Sequence, residues 1–389
     1  MQKPIRSRDG QQWIYDYVLK ASGRAVHYEY DVRDMPKQAK SVRMVSKYFV
    51  KEAEHAEKMA RGADAGGDFL NSRKLYQHAA EYYKEAQHFF IPPTSHKRWE
   101  ILKRAHKCAR HAYALADYKI EQVEIPYRDT TIPGVLHLAP GDGPKPTVLF
   151  IPGMDNTKEN YPKIDNNPFI QRGMNLLCID GPGQGEALMR GIYVHPGDHS
   201  VAASNAFDFL ATREDVDETR IGISGRSFGS YWSLRAAAED GRFACVGGAV
   251  ACYYWDRIVI FQEVTIRFKQ VFMAMAGAED EEMFDKEIEG YTLKGFAEKV
   301  KCPVLMGIGE FDPLNPLEDA EAVYDSLTCP KEMWIFEDEF HRIRAPKNLG
   351  GGVTFDFIAQ WMLTAMNGAV KKGHDKKRFI KLNGDGMFD

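Results

Sequence analysis

Two hydrophobic textures divide the chain. Up to about residue 117, apolar residues recur every three or four positions. Leu75, Ala79, Tyr82, Ala86 and Phe89 fall on one face of a helix, and Trp99, Leu102, Ala105 and Ala109 mark another. Pro92-Pro93 ends the first, Ser95 stands where the second would be capped, and Asp64-Ala65-Gly66-Gly67-Asp68 reads as a loop between helices. The spacing predicts a helical domain over residues 1–117 with no strand in it. From Tyr118 the period shortens to two. Ile120, Val123 and Ile125 alternate with polar residues, and a second run, Thr131 to Leu138, follows a turn at Asp129, which predicts an opening hairpin. Thr147 to Ile151 and Met174 to Ile179 are continuous apolar runs, as strands buried on both faces are. A helix from Ser200 to Thr212 and further strands at Ala244–Cys252, Pro303–Ile308 and Glu332–Phe336 complete an alternating series. Such alternation predicts an α/β fold: a mainly parallel sheet with helices on both faces.

The series breaks between Tyr253 and Val300. That stretch carries Trp255, Ile258, Phe261, Phe268, Phe272, Met273 and Met275 and then the acidic run Glu279 to Glu282. It is too long for one crossover and predicts a helical insertion whose aromatic stripe is first of all core. Core strands therefore occupy 118–252 and 301–370, with the insertion at 253–300 between them. Phe355, Ile358, Trp361 and Met362 mark a closing helix, and Lys371 to Arg378 open a basic, solvated tail over 371–389.

Composition narrows the function. With 389 residues, 44% hydrophobic and 27% charged, the chain is an ordinary globular one. A net charge of -4 argues against nucleic acid as a partner. No apolar run approaches membrane-spanning length, and Met1 to Arg8 hold no apolar signal core, so a cytoplasmic location is expected. Six scattered cysteines without C-x-x-C spacing predict reduced thiols. Neither a metal-ligand cluster nor a phosphate-binding glycine loop is visible, so no cofactor is expected.

The chemistry centres on Gly225-Arg226-Ser227-Phe228-Gly229, a G-x-S-x-G run between a short apolar strand and a helix beginning near Tyr231. A sharp strand-to-helix turn would push Ser227 out at a helix N-terminus, where amides can hold an oxyanion. A serine nucleophile needs a base, and the base an orienting acid, in chain order Ser, acid, His. Past the Pro303–Ile308 strand lies Asp312, held before a proline, with Glu310 and Asp338 as rivals; past the next strand lies His341. The oxyanion donors expected are the Phe228 amide and, from Pro152 to Asn156, that of Met154 or a neighbour. Asp155 on that loop is either a surface carboxylate or an auxiliary acid. Trp255, Tyr254 and His199 are candidate substrate contacts, although for His199, as for His195, a plain turn is the favoured reading.

Three stretches resemble signatures of one α/β-hydrolase branch: Ile151 to Glu159, Asp180-Gly181-Pro182-Gly183-Gln184-Gly185-Glu186, and Gly225 to Gly229. That branch includes 2,6-dihydroxypseudooxynicotine hydrolase, the fungal polyketide-shortening hydrolases of pigment pathways and the FrsA-like esterases. The helical segment around Ala79 to Tyr83 is similar to its N-terminal domain, and the match runs from about residue 65 to 365. The resemblance implies an α/β-hydrolase fold, a Ser227–His341–Asp312 triad, a helical domain closing over the site and a homodimer. It also implies carbon–carbon cleavage of an aromatic or polyketide-like small molecule, in which Asp155 matches an auxiliary glutamate but is one methylene shorter. Ester, lactone or amide hydrolysis by the same triad is the alternative, and a hydrolase fold that only binds is a third reading.

Overall fold

A computed structural model describes residues 36–89, 95–154, 156–159, 163–255, 258–262, 266–341, 343 and 349–388. The chain divides into two compact units, Met1–Ile120 with Pro162–Asp165, and Glu121–Tyr161 with Asn166–Asp389.

The first unit is helical among its described residues: α1 (Val42–Ala65), α2 (Phe69–His88) and α3 (His96–Ala114). Ser41 and Asp68 cap α1 and α2 by accepting from the amides of Arg43 and Asn71. Ser95 holds the equivalent place before α3, but its hydroxyl makes no capping bond. The inner face of α2 is one residue out of step with its apolar spacing. Tyr76, Ala79, Tyr83 and Ala86 are buried, while Leu75 and Tyr82 are only half-buried. Tyr83 can turn inward because its hydroxyl donates to Glu57 Oε2 at 2.8 Å and its ring carries the Arg104 guanidinium.

The second unit is an α/β-hydrolase fold. Its strands are β1 (Ile120–Tyr127), β2 (Thr130–His137), β3 (Lys145–Ile151), β4 (Asn175–Ile179), β5 (Val216–Ser227), β6 (Val246–Ala251), β7 (Val304–Gly309), β8 (Lys331–Phe336) and β9 (Asp375–Ile380). They form one sheet in the order β1-β2-β4-β3-β5-β6-β7-β8-β9. β2 runs antiparallel to β4, and every pairing from β4 to β9 is parallel. The two residues between β1 and β2 allow only a hairpin. β4, β7 and β8 are buried along their whole length and β3 beyond its first residue, as the continuous apolar runs at β3 and β4 predicted. The helices are α4 (Gly185–Met189), α5 (Asp198–Ala211), α6 (Phe228–Glu239), α7 (Val259–Gln262), α8 (Ile266–Ala276), α9 (Glu281–Glu287), α10 (Leu317–Ser326) and α11 (Thr354–Met366). α11 packs so closely on β5 and β6 that a Cβ on Gly247 would lie 2.6 Å from Met362 Sδ.

The insertion is helical, with α7, α8 and α9 in it. Phe272 lies at its centre, against Phe228, Trp232, Phe261, Phe284 and Tyr291. Its two ends are tied together: the Leu293 amide donates to Tyr254 O and the Thr292 hydroxyl to Trp255 O. The Tyr253 amide donates to Asn315 Oδ1, on the loop after β7.

Residues 371–388 are exposed along most of their length, as a tail would be, but they are not without regular structure. Asp375–Ile380 forms β9, pairing in parallel with β8. The cause is Glu332, a buried carboxylate on β8. It accepts from Trp334 Nε1 (2.8 Å), Trp361 Nε1 (3.0 Å) and Arg378 Nε (2.6 Å), and pairs with His374 Nε2 (2.7 Å). Two basic residues of that segment, His374 and Arg378, answer a carboxylate inside the fold. Among the described residues no helix is long and apolar enough to cross a membrane. All six cysteines are free thiols.

Candidate active site

β5 ends on Ser227 and α6 begins at Phe228, so strand becomes helix in a single step. Ser227 absorbs the turn with φ 55° and ψ -128°, a region costly for any residue with a Cβ. The flanking glycines are dictated by contact. A Cβ on Gly225 would lie 2.1 Å from Gly229 O, and one on Gly229 would lie 2.1 Å from Ile151 O. The second contact brings the elbow against the end of β3. The strand order reverses at β3, so the loops after β3 and β5 flank the switch point where open α/β sheets place their sites.

Two strands away, the loop after β7 presents Asp312 and the loop after β8 presents His341. The loops are joined: the Glu310 amide donates to Phe336 O and the Phe311 amide to Glu339 O. A Cβ on Gly309 would fall 2.4 Å from Phe340 O, so this junction needs glycine. Ser227 Oγ lies 2.8 Å from His341 Nε2, and His341 Nδ1 lies 2.8 Å from Asp312 Oδ2. The other Asp312 oxygen accepts the Leu314 amide at 2.9 Å. An ionised Asp312 fixes the proton on Nδ1, leaving Nε2 to accept from the serine. Asp312 and His341 are both buried. Of the rivals, Glu310 accepts the Asp338 amide at 3.0 Å. Ser227 Oγ also lies 3.7 Å from Cys252 Sγ, a thiol that burial pushes up to about 12.

Phe228 offers the first amide of α6, while its buried ring packs against Trp232 and Phe272. Met154 follows Gly153, whose Cβ position would lie 3.2 Å from Ser227 Cβ, so the loop after β3 abuts the serine. Asp155 lies outside the described residues. Tyr254 is wholly buried, its ring 5.7 Å from that of Phe228 and its hydroxyl beside the Cys252 thiol. Trp255 is half-buried, with Lys294 over its ring. His199 stacks on Trp232 at 3.7 Å, its Nε2 3.0 Å from Pro182 O, in a packing position on α5. Burial lowers its pKa to about 3.

Residue reading missed what the Asp180–Glu186 run does. Asp180 accepts the Lys158 amide (2.6 Å), the Lys158 ammonium (3.0 Å) and the Glu186 amide (2.8 Å). Lys158 Nζ also meets Glu186 and Glu159, each at 3.0 Å. Burial opposes its charge, but Asp180, Glu159 and Glu186 outweigh that and hold the ammonium's pKa above its ordinary value. Gln184 Nε2 donates to Pro152 O (3.1 Å) and Gly153 O (2.8 Å), while its Oε1 accepts the Gly181 amide at 3.2 Å. The signal lay in the motif itself, an amide and two acids among glycines, but its partners lie 22 to 32 residues upstream.

Fold and site together define a member of the α/β-hydrolases. The chain belongs to the Esterase FrsA-like family, whose model matches residues 53–336. It is 29% identical over 331 residues to Hydrolase phmG of Phaeosphaeria nodorum, covering 72% of this chain and 75% of that one. It is 27% identical over 329 residues to 20-hydroxy-prefusarin hydrolase FUS2 of Gibberella moniliformis, covering 73% and 78%. In fold it is similar to the crystal structure of 2,6-dihydroxy-pseudo-oxynicotine hydrolase, with TM-score 0.75 and 23% identity over 88% of this chain and 93% of the other.

Proposed function

We propose that this protein is a serine hydrolase that cleaves a carbon–carbon bond next to a ketone, in an aryl-ketone or β-dicarbonyl substrate. The observation that carries the hydrolase reading is the unbroken line Ser227 Oγ–His341–Asp312, with two contacts of 2.8 Å. His341 takes the hydroxyl proton as Ser227 attacks the carbonyl. The Phe228 and Met154 amides hold the oxyanion. Collapse breaks the carbon–carbon bond and expels an enolate, which takes up the proton held by His341, either directly or by way of Asp155, the neighbour of Met154 in the chain, so that His341 is again free to act as base. Water, deprotonated by His341, then hydrolyses the acyl-enzyme. An enolate leaves readily only if a second carbonyl or an aromatic ring stabilises it, which sets the substrate class. The three resembling signatures, and the likeness to 20-hydroxy-prefusarin hydrolase and 2,6-dihydroxy-pseudo-oxynicotine hydrolase, support the carbon–carbon reading. The family description favours a second one, ester hydrolysis by the same residues.

A fluorophosphonate probe is expected to label the wild type and spare Ser227→Ala. Turnover of an aryl 1,3-diketone at a rate comparable to an aryl ester supports carbon–carbon cleavage. Ester turnover alone moves the assignment to the second reading, and an unlabelled wild type ends both.

A further inference from the structure

The run Asp180 to Glu186 wraps a buried cluster that ends on the loop after β3. Its glycines are spatially required. Gly183 holds φ 78° and a Cβ there would lie 2.8 Å from Val194; Gly185 holds φ 40° and a Cβ there would lie 2.3 Å from Asp180 Oδ2. Only so tight a path brings the Asp180 carboxylate and the Gln184 amide to the same loop. Gln184 is completely buried. Nε2 spends both of its protons on the carbonyls of Pro152 and Gly153, and Oε1 takes the Gly181 amide, which fixes the plane of the side chain. Gly153 O also accepts the Asn156 amide at 3.0 Å. A few residues on, Asp180 grips both the amide and the ammonium of Lys158.

We propose that Gln184 is a positioning residue for the oxyanion donor: by holding the carbonyl of Gly153 it aims the amide of Met154. In a trans peptide the C=O and N–H point in opposite directions. A carbonyl held by Gln184 therefore turns the Met154 N–H away from Gln184, and rotating that peptide unit breaks the bonds from both Gln184 and Asn156. The Lys158–Asp180 contacts restrain the far end of the loop. The donor is thus preset before substrate arrives, the condition under which oxyanion stabilisation is effective. This inference rests on the reading of Ser227 as nucleophile.

Gln184→Leu keeps the volume and removes both donors; Gln184→Met does the same at closer length and serves if the leucine variant does not fold. Aryl-ester kcat is expected to fall about 10- to 100-fold with KM within about threefold, short of the about 10²–10³-fold that follows outright loss of a donor. Affinity for an aryl trifluoromethyl ketone, which forms an anionic adduct on Ser227, is expected to fall by the same factor as kcat/KM. Binding of the parent aryl methyl ketone, which forms no such adduct, is expected to stay constant. A role in folding alone would not separate the two ketones. Retention of kcat and trifluoromethyl-ketone affinity within twofold in a folded variant overturns the proposal while leaving the serine hydrolase intact. A wild type that neither takes the fluorophosphonate nor turns over ester removes the nucleophile and the proposal with it.

Discussion

Ser227 is a residue under strain, and its φ of 55° lets the strain be measured apart from the chemistry. Glycine relaxes there, whereas alanine keeps the Cβ. Ser227→Gly is therefore expected to be inactive yet more stable than Ser227→Ala by about 1 kcal/mol, read by urea unfolding. Equal stability would show that the turn is unstrained. Two other residues contribute to the response to acid. His137 on β2 and His199 on α5 are both driven by burial to about 3. Each is neutral when folded and protonates near 6.5 when unfolded, so the unfolded state gains protons as the pH drops. Their stabilisation is complete above pH 6.5 and declines toward pH 3. At pH 5 the loss is about 2 kcal/mol apiece. His199→Phe is expected to flatten the profile of unfolding free energy between pH 7 and pH 5, and an unchanged slope would refute the assignment. The packing role of His199 was hidden in the sequence, because its partner Trp232 lies on a different helix and no local pattern links them.

At the scale of elements, β9 is where apolar patterning misleads. Asp375 to Arg378 carry four charges in a row, and charge normally signals solvent. This edge strand is anchored at two points, by Ile380 in the apolar core and by the polar contacts of His374 and Arg378 with Glu332. Burial works against the Glu332 charge, but the bonds from Trp334, His374, Trp361 and Arg378 hold its pKa below the ordinary value. Deleting residues 371–389 uncovers the edge of β8 and leaves Glu332 without Arg378 and His374. The expected loss is about 3–5 kcal/mol in urea unfolding, with aggregation through the bared edge. A deletion that unfolds like the intact chain would show that β9 merely rests on the sheet. By contrast β3 and β4 were legible from continuous apolar runs, because strands buried on both faces have no polar side to confuse the pattern. The face of α2 was legible only to within one residue. A tyrosine with a bonded hydroxyl suits the interior as well as leucine does, and hydrophobicity does not tell them apart.

Across the whole molecule, chain order made the Ser227–His341–Asp312 line of contacts readable. Ser227 ends β5, Asp312 follows β7 and His341 follows β8, and a parallel sheet delivers all such strand ends to one edge. What supports the triad was not readable. The contacts of Gln184 with Pro152 and Gly153, and of Asn315 with Tyr253, cross between segments that only the fold brings together. The latter contact, with the two bonds that join residues 254–255 to 292–293, gives the excursion between β6 and β7 a common doorway. A segment that leaves and returns through one doorway is replaceable in the manner of a cartridge. Descent can recut it for a new substrate while the strands, and the Ser227 elbow they carry, keep their inheritance.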